Sequence, residues 1–300
     1  HLVCDATNHN SVSLLRQRKT RPAKPFAVMV EDIEAAAKLV TGSAAEWQTL
    51  CSAQRPITLM RKITTNPATN QSADLTTKLS TNNRVLSVAE STQPFDKLAL
   101  DRQQLDKQLI DSHLTASRTI DNQSFNSQNS PCTELSDLVA PDIDRLGIFL
   151  PYTPVHQLLL TGVRRPLVMT SANLAGEPII TDSEAIKSKL AHVVDNILDH
   201  NRPILNGCDD SVVQLINDKQ QVLRLARGYA PLSFYSDQPL TESILALGAQ
   251  QKNTICFGFN HNLFLSPHIG DLVSIEAEEY FHHTLDTFSR LYGFIPSQLV

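Results

Sequence analysis

The sequence predicts an α/β fold in which helices pack on a sheet, followed by the first part of a second α/β unit. Short, almost wholly apolar runs recur along the chain, and segments with helical periodicity separate them. Such alternation is typical of α/β proteins whose strands are buried on both faces. With 300 residues, 41% of them hydrophobic, the chain is long enough for one large domain or two ordinary ones.

The N-terminal residues form a strand–helix pattern that predicts a compact unit. A strand at 2–4 leads to a helix at 11–18, where apolar side chains recur at helical spacing. Residues 26–30 are apolar throughout and predict a strand buried on both faces. An alanine-rich helix with acids in its first turn starts at Asp32, and residues 56–60 predict the closing strand.

A second series of elements continues the same unit further along the chain. A strand starting at Leu146 ends in a turn stiffened by prolines, and a helix follows from Val155. Residues 166–170 predict another buried strand, and residues 184–194 predict a helix. Two strands between 211 and 225 flank an Asn-Asp-Lys-Gln turn, which is typical of a hairpin.

The C-terminal residues predict a fresh unit of limited size. Residues 243–247 predict a strand, and two strand-like runs lie around Ile255 and Phe264. An amphipathic helix is expected at 275–291. Because this unit is too small for an α/β core of its own, we expect the chain to be cut from a longer protein at both ends.

Between these units lies a long segment of different composition. From 62 to 138 Ser, Thr, Asn and Gln dominate, which predicts a polar, disordered insert without chemistry of its own. The predicted organisation is a first domain at 1–61 and 139–232, the insert at 62–138, a linker at 233–241, and a truncated second domain at 242–300.

Bulk properties restrict the function classes. The net charge of -5 does not suggest nucleic-acid binding by the chain as a whole, so anion binding must be local. No apolar run is long enough to predict a membrane span. The cysteines are scattered singly, which argues against a disulfide framework or a cysteine zinc site and fits a cytoplasmic protein; no metal site is predicted. They are Cys4, Cys51, Cys132, Cys208 and Cys256.

The segment that precedes the strand at 26–30 concentrates positive charge. Two prolines restrict its backbone, so its cations are less free than cations on a helix. A strand end with several fixed cations suits a polyphosphate, although a solvated basic surface explains the charges equally well. The five cations are Arg16, Arg18, Lys19, Arg21 and Lys24.

Two further segments place polar side chains after buried strands. Ser171 and Asn173 follow the strand at 166–170, where open α/β sheets bind ligands, although an ordinary turn has the same composition. Ser211 opens the hairpin, while Arg224 and Arg227 lie at its end and suggest a second phosphate-binding point. Asp209 and Asp210 beside them suit either Mg²⁺ binding or the capping of a turn.

Four motifs occur in order: RKTRPAKPFAVMV, LGIFLPYTPVHQLLL, PLVMTSANLAGEPII and CDDSVV with LRLARGYAP. They resemble the YrdC-like domain of the HypF carbamoyltransferase family. The later LALGAQQKNT and FLSPHIGDL resemble the start of that family's Kae1-like domain. The resemblance covers nearly all of the chain outside 62–138. It implies a YrdC-like twisted mixed sheet with helices, followed by the first part of an actin-like ATPase (Kae1-like) domain.

The resemblance also implies a reaction and its participants. HypF proteins, which serve [NiFe]-hydrogenase maturation, form carbamoyl-adenylate from carbamoyl phosphate and ATP with Mg²⁺. They then pass the carbamoyl group to the C-terminal cysteine of HypE. Zinc is expected only in the family's N-terminal region, which this sequence does not include. Catalytic roles would fall to Lys19, Arg21 and Lys24, and nucleotide or substrate binding to Ser171, Asn173, Ser211, Arg224 and Arg227.

Three other functions remain open. One is a threonylcarbamoyl-adenylate synthase acting in tRNA modification, against which the fused second domain argues. Another is a double-stranded RNA-binding module, although no aromatic residues interleave the cations and no broad basic stripe is present. The third is a truncated remnant without activity, because the insert separates the two halves of the site.

Overall fold

A computed structural model describes residues 1–63 and 134–300 of the chain. An eight-stranded sheet is the central element of these residues. Its strands are β1 (Leu2–Asp5), β2 (Ala27–Met29), β3 (Val40–Thr41), β4 (Ile57–Lys62), β5 (Arg145–Phe149), β6 (Leu167–Thr170), β7 (Val212–Ile216) and β8 (Lys219–Arg224). The α-helices of the described residues are α1 (His9–Arg18), α2 (Ile33–Ala37), α3 (Ala44–Cys51), α4 (Pro154–Val163), α5 (Ser183–Lys189) and α6 (Ile275–Tyr292).

The sheet is mixed. Its strands lie in the order β1-β6-β2-β5-β4-β7-β8, with β3 paired to β4. β2 pairs parallel to β5 and antiparallel to β6, and β4 pairs parallel to β7 and antiparallel to β5. The α/β class and the mixed sheet predicted from the sequence are therefore confirmed.

Local sequence explains where the helices begin. Ser43 accepts a hydrogen bond from the backbone N–H of Glu46, whose carboxylate accepts one from the N–H of Ser43, and this reciprocal pair starts α3. Thr153 caps α4 in the same way as Asn8 caps α1, and Pro154 occupies the first turn, where no hydrogen bond is lost.

Both faces of the sheet are covered. One face packs against α1, α2 and α3 through a large apolar core that includes Val12, Ala36 and Leu50. The other face forms a smaller core in which Leu160 of α4 packs among strand residues. Those strand residues are Met29, Ile57, Phe149, Leu167 and Met169. Since the middle strands bury both faces, they are apolar runs without alternation.

A second, three-stranded sheet follows. It consists of β9 (Leu232–Ala246), β10 (Cys256–Leu265) and β11 (Gln298–Leu299), in the order β10-β9-β11. Helix α6 packs on it through an aromatic core in which Phe257 stacks on Phe288 at 5.4 Å between ring centroids. The helix predicted at 275–291 is thus present in full and extends to Tyr292.

Two predicted segments differ locally from the structure. Residues 233–241 were expected to form a linker, but they lie inside β9. The polar, proline-containing stretch is accommodated there because the pairing of β9 with β10 shifts register at this place. The two runs around Ile255 and Phe264 belong to the single strand β10, which continues through Asn260 at φ +52°. The domain boundaries themselves stay a prediction.

The end of the helix predicted at 184–194 also differs. α5 stops at Lys189, and Leu190 and Val193 turn into the core on the α1 side of the sheet. Most of the insert predicted at 62–138 lies outside the described residues. Within residues 1–63 and 134–300 no helix has the length and apolar character needed to cross a membrane.

We expect Leu160→Ala to lower the free energy of unfolding by about 2–5 kcal/mol, because the side chain is fully buried and its removal leaves a cavity. Leu158→Ala is the matched control on the same helix, since Leu158 is 72% exposed, and its effect should stay within about 0.5 kcal/mol. Urea denaturation of both variants measures the difference. Equal effects would show that α4 does not pack as described.

Candidate anion-binding site

The basic turn, residues 16–25, is organised by the buried guanidinium of Arg16. Its Nε donates to the carbonyl of Leu138 at 2.6 Å, and its Nη1 donates to the carbonyls of Arg21 at 2.8 Å and Lys24 at 3.2 Å. The same group lies 4.6 Å from the centroid of the Phe26 ring. Arg16 therefore fixes the path of the turn from inside, and the other cations project from this support.

Lys19 joins the basic turn to the loop after β6. Its Nζ donates to the carbonyls of Ser171 at 2.5 Å and Asn173 at 3.1 Å, and to Asn173 Oδ1 at 2.9 Å. Burial, with the charges of Arg21 and Lys24, lowers the pKa of Lys19 to about 8. Three oxygen acceptors hold the ammonium of Lys19, a residue that is only 8% exposed. Lys19 is therefore a cation of the site and also connects the basic turn to the loop after β6.

Arg21 and Lys24 stand beside Lys19. The Arg21 guanidinium lies 4.8 Å from the Phe26 centroid and donates to Thr170 Oγ1 at 3.2 Å. Burial, with the charges of Arg16 and Arg224, lowers the pKa of Arg21 to about 10. Lys24 is exposed, and its amine has no hydrogen-bond partner among the described residues. Its pKa is lowered by burial and then by Arg21 and Arg224.

The loop after β6 is held together by its own polar side chains. Ser171 Oγ donates to Asn173 Oδ1 at 2.7 Å, and Asn173 Nδ2 donates to the carbonyl of Glu177 at 2.6 Å. Thr170, at the end of β6, contacts Arg21 directly. Thr170 was not among the predicted site residues, although its place at the strand end was a usable signal.

Arg224 approaches the same cluster from the hairpin. Its Nε donates to the carbonyl of Asp210 at 2.7 Å, and its Nη1 lies 3.5 Å from Asp209 Oδ1. The charge of Arg224 acts on both Arg21 and Lys24, as their pKa values show. The structure thus brings together six of the predicted site residues: Lys19, Arg21, Lys24, Ser171, Asn173 and Arg224.

The other two predicted residues are engaged inside the protein. Ser211 is fully buried, and its Oγ accepts a hydrogen bond from the N–H of Ala226 at 2.8 Å. Arg227 donates to Asp210 Oδ1 at 2.8–2.9 Å and to the carbonyls of Gln54 and Arg55. Contact of Ser211 or Arg227 with a ligand stays a prediction; their observed partners tie the hairpin to the sheet.

A buried polar cluster surrounds this ion pair, and sequence reasoning did not find it. The Arg227 guanidinium lies 3.4 Å from the centroid of Tyr152, and His156 packs edge-on against the same ring. Burial alone would raise the pKa of Asp210, but the hydrogen bond from His1 and the charge of Arg227 lower it to about 2. Tyr152 and His156 belong to the motif that follows β5, so its signal was present in the sequence.

The segment between β10 and α6 reaches the edge of the cation cluster. The N–H of His268 donates to the carbonyl of Leu225 at 2.6 Å. Burial lowers the pKa of the His268 ring, which also feels the charges of Asp209 and Arg224. This edge is therefore built from both sheets of the chain.

The cleft found elsewhere in the described part of the chain is less suited to an anion. A cleft of about 390 Å³ lies between α3 and the β7–β8 hairpin, but Asp218 is the only charged residue in its lining. Within the described ranges no group of three His, Cys, Asp or Glu side chains is placed to hold a metal ion. Cations from two separate segments, the basic turn and the β7–β8 hairpin, meet beside the polar loop after β6, where they suit an anionic ligand with several charged oxygens.

Comparison with known proteins agrees with this architecture. The family model described as Telomere recombination (Sua5/YciO/YrdC) matches residues 1–94 and 126–226, and the model of the HypF Kae1-like domain matches residues 239–300. A carbamoyltransferase HypF from Synechocystis sp. is 32% identical over 300 residues, which is 100% of this chain and 30% of that protein. One from Rhizobium leguminosarum bv. viciae is 34% identical over 286 residues, 92% of this chain and 28% of that protein.

A solved structure is similar over the whole chain. It is the crystal structure of full-length HypF in the phosphate- and nucleotide-bound form, which is 31% identical with a TM-score of 0.74. The match covers 100% of this chain and 37% of that one. The chain therefore spans about a third of the length of the HypF proteins that it matches. The resemblance to HypF is confirmed, and the chain belongs to the Sua5/YciO/YrdC family, followed by a segment of the HypF Kae1-like type.

Proposed function

We propose that the main-sheet unit forms carbamoyl-adenylate from ATP and carbamate, as part of a carbamoyltransferase of [NiFe]-hydrogenase maturation. The observation that carries the proposal is the junction of Lys19 with Ser171 and Asn173, beside Arg21, Lys24 and Arg224. Phosphate and nucleotide bound to a full-length HypF of the same fold support an anionic ligand.

Formation of the adenylate requires cations at fixed positions. A carbamate oxygen attacks the α-phosphorus of ATP, the bond to the bridging oxygen breaks, and pyrophosphate leaves with the negative charge. Cations that are held before the reaction stabilise this charge most strongly in the transition state. Lys24 and Arg224 suit the phosphate oxygens, because Lys24 has no internal partner in the described ranges and Arg224 lies on the neighbouring hairpin.

The loop after β6 suits the small substrate. Ser171 and Asn173 offer hydroxyl and amide groups that are a donor and an acceptor for a carbamate or a ribose. Mg²⁺, when bound, would neutralise phosphate oxygens, and proteins usually hold it with one or two carboxylates plus the phosphates. Asp209, 3.5 Å from Arg224 and 24% exposed, fits that requirement.

Other parts of the proposal concern the longer protein. Carbamate would come from carbamoyl phosphate, and the carbamoyl group would pass to the C-terminal cysteine of HypE in the cytoplasm. HypE as partner rests on the resemblance of the motifs to the HypF family, and the location rests on the scattered cysteines, rather than on a contact of this chain.

The first measurement is pyrophosphate release from MgATP. We expect release that requires ammonium bicarbonate, which supplies carbamate, and that falls about a hundredfold in Lys24→Ala, because a cation acting on the leaving group is lost. Lys24 is exposed, so the variant should keep its fold.

Arg18→Ala is the matched control for that variant. Arg18 belongs to the same turn, but it pairs with Asp195 at 2.8 Å and lies outside the cluster. Its rate should stay close to that of the unaltered chain. A requirement for threonine with bicarbonate would instead assign the chain to tRNA modification, and a folded protein without release would contradict the proposal.

ATP binding should also depend on the protonation of Lys19. The pKa of Lys19 in the free protein is about 8, and a bound polyanion raises it because it favours the charged form. Affinity for MgATP should therefore be constant below pH 8 and fall as pH rises above it. Calorimetric titration from pH 6.5 to 9.5 measures this, and Lys19→Met should bind more weakly with a flatter profile. An equally steep profile in Lys19→Met would assign the titration to another group.

A further inference from the structure

Helix α6 and the loop before it contact the loops that form the candidate site. Ser274 Oγ donates to the carbonyl of Gly176 at 3.5 Å, and the Tyr280 hydroxyl donates to the carbonyl of Gly207 at 3.1 Å. A Cβ added at Gly176 would lie 3.2 Å from Val273 Cγ2, so the two segments pack closely here. The second sheet's helix therefore rests on the loop after β6.

Lys189, the last residue of α5, bridges the same two segments. Its Nζ lies 2.6 Å from Glu276 Oε1 in the first turn of α6 and 3.4 Å from Glu177 Oε2 in the loop after β6. The hydrogen bond that Lys189 donates to Glu276 is the main reason that the pKa of Lys189 is raised. Since Glu177 is only 16% exposed, its carboxylate depends on this one ammonium for a charged partner among the described residues.

Glu177 continues the connection into the site. Its carbonyl accepts the hydrogen bond from Asn173 Nδ2 at 2.6 Å, and Asn173 Oδ1 accepts from Lys19 Nζ at 2.9 Å. Polar contacts therefore connect Glu276, Lys189 and the Glu177 carboxylate, and the backbone carbonyl of the same Glu177 continues the connection through Asn173 to Lys19.

We propose that Lys189 is a positioning residue, which holds the loop after β6 in the geometry that Lys19 requires and makes ligand affinity at the site depend on α6. The identity of the ligand, MgATP, rests on the proposed function; the positioning itself does not. No role in the reaction is needed for Lys189, because it acts through Glu177 and Asn173.

The test compares Lys189→Gln with Lys187→Gln. Lys187 lies on the same helix, and among the described residues its ion pair is with Glu184, at 2.6 Å within one turn, so it is a matched control. We expect Lys189→Gln to weaken MgATP binding about two- to fivefold, as calorimetry measures, while Lys187→Gln binds like the unaltered chain. Lys189→Arg should retain most of the affinity, because it keeps the charge.

Glu276→Gln tests whether the effect passes through α6. It should reproduce the loss, and the double variant with Lys189→Gln should lose less than the sum of the two, since both remove one connection. Equal affinity of Lys189→Gln and the unaltered chain, or strictly additive losses, would overturn the proposal.

A second readout keeps the inference independent of the nucleotide. Amide hydrogen exchange of residues 172–178 should become faster in Lys189→Gln than in Lys187→Gln, because the loop loses one of its ties. If the unaltered chain binds no MgATP, the proposed function fails, yet faster exchange would still support the positioning role. Unchanged exchange would contradict that role whatever the ligand.

Discussion

The site depends on the hydrogen bonds that the Lys19 ammonium donates to the loop after β6. The ammonium reaches from the end of α1 to the loop after β6, and it joins parts of the chain that are about 150 residues apart through Ser171 and Asn173. A buried ammonium is costly unless oxygen acceptors surround it, and here backbone carbonyls and an amide oxygen do so. Because the same group carries charge into a cluster of cations, fold and ligand affinity depend on one contact.

The cations of the chain divide into two kinds. Arg16 and Arg227 use their guanidinium groups on backbone carbonyls, and each also packs on an aromatic ring. Arg21 also contacts Phe26 and backbone carbonyls, but it belongs with Lys24 and Arg224 to the cation cluster. Burial, followed by neighbouring charges that include Arg224, lowers the pKa of Arg21 and of Lys24. Arginine suits the first task because its planar group satisfies several acceptors at once. A protein with a net negative charge thus keeps a local concentration of positive charge.

Sequence reasoning predicted most of the fold and the main members of the site. The apolar runs at β2 and β6 mark the central strands directly, since strands buried on both faces cannot alternate. The internal partners of Arg227 and Ser211 could not be predicted, because motif spacing does not reveal which way a side chain turns; their contact with a ligand stays a prediction. The cluster of Tyr152, His156 and Asp210 was missed because its members converge only through packing across the sheet. The full length of β9 was not predicted, because its proline argues against a strand. The register shift that accommodates this proline depends on the partner strand β10 and is not visible in the sequence of β9.

The course of β9 has a consequence for how the two sheets can move. Arg227, which pairs with Asp210, lies just beyond the end of β8, and β9 begins at Leu232, paired with β10 from its first residue. A flexible tether would let the second sheet sample many orientations, and its contacts would then lose the advantage of high effective concentration. Because this connection is short, α6 has few other positions to sample, and placing it on the loop after β6 costs little additional entropy. Weak, half-exposed contacts such as those of Lys189 can therefore hold an orientation that they could not hold between separate proteins.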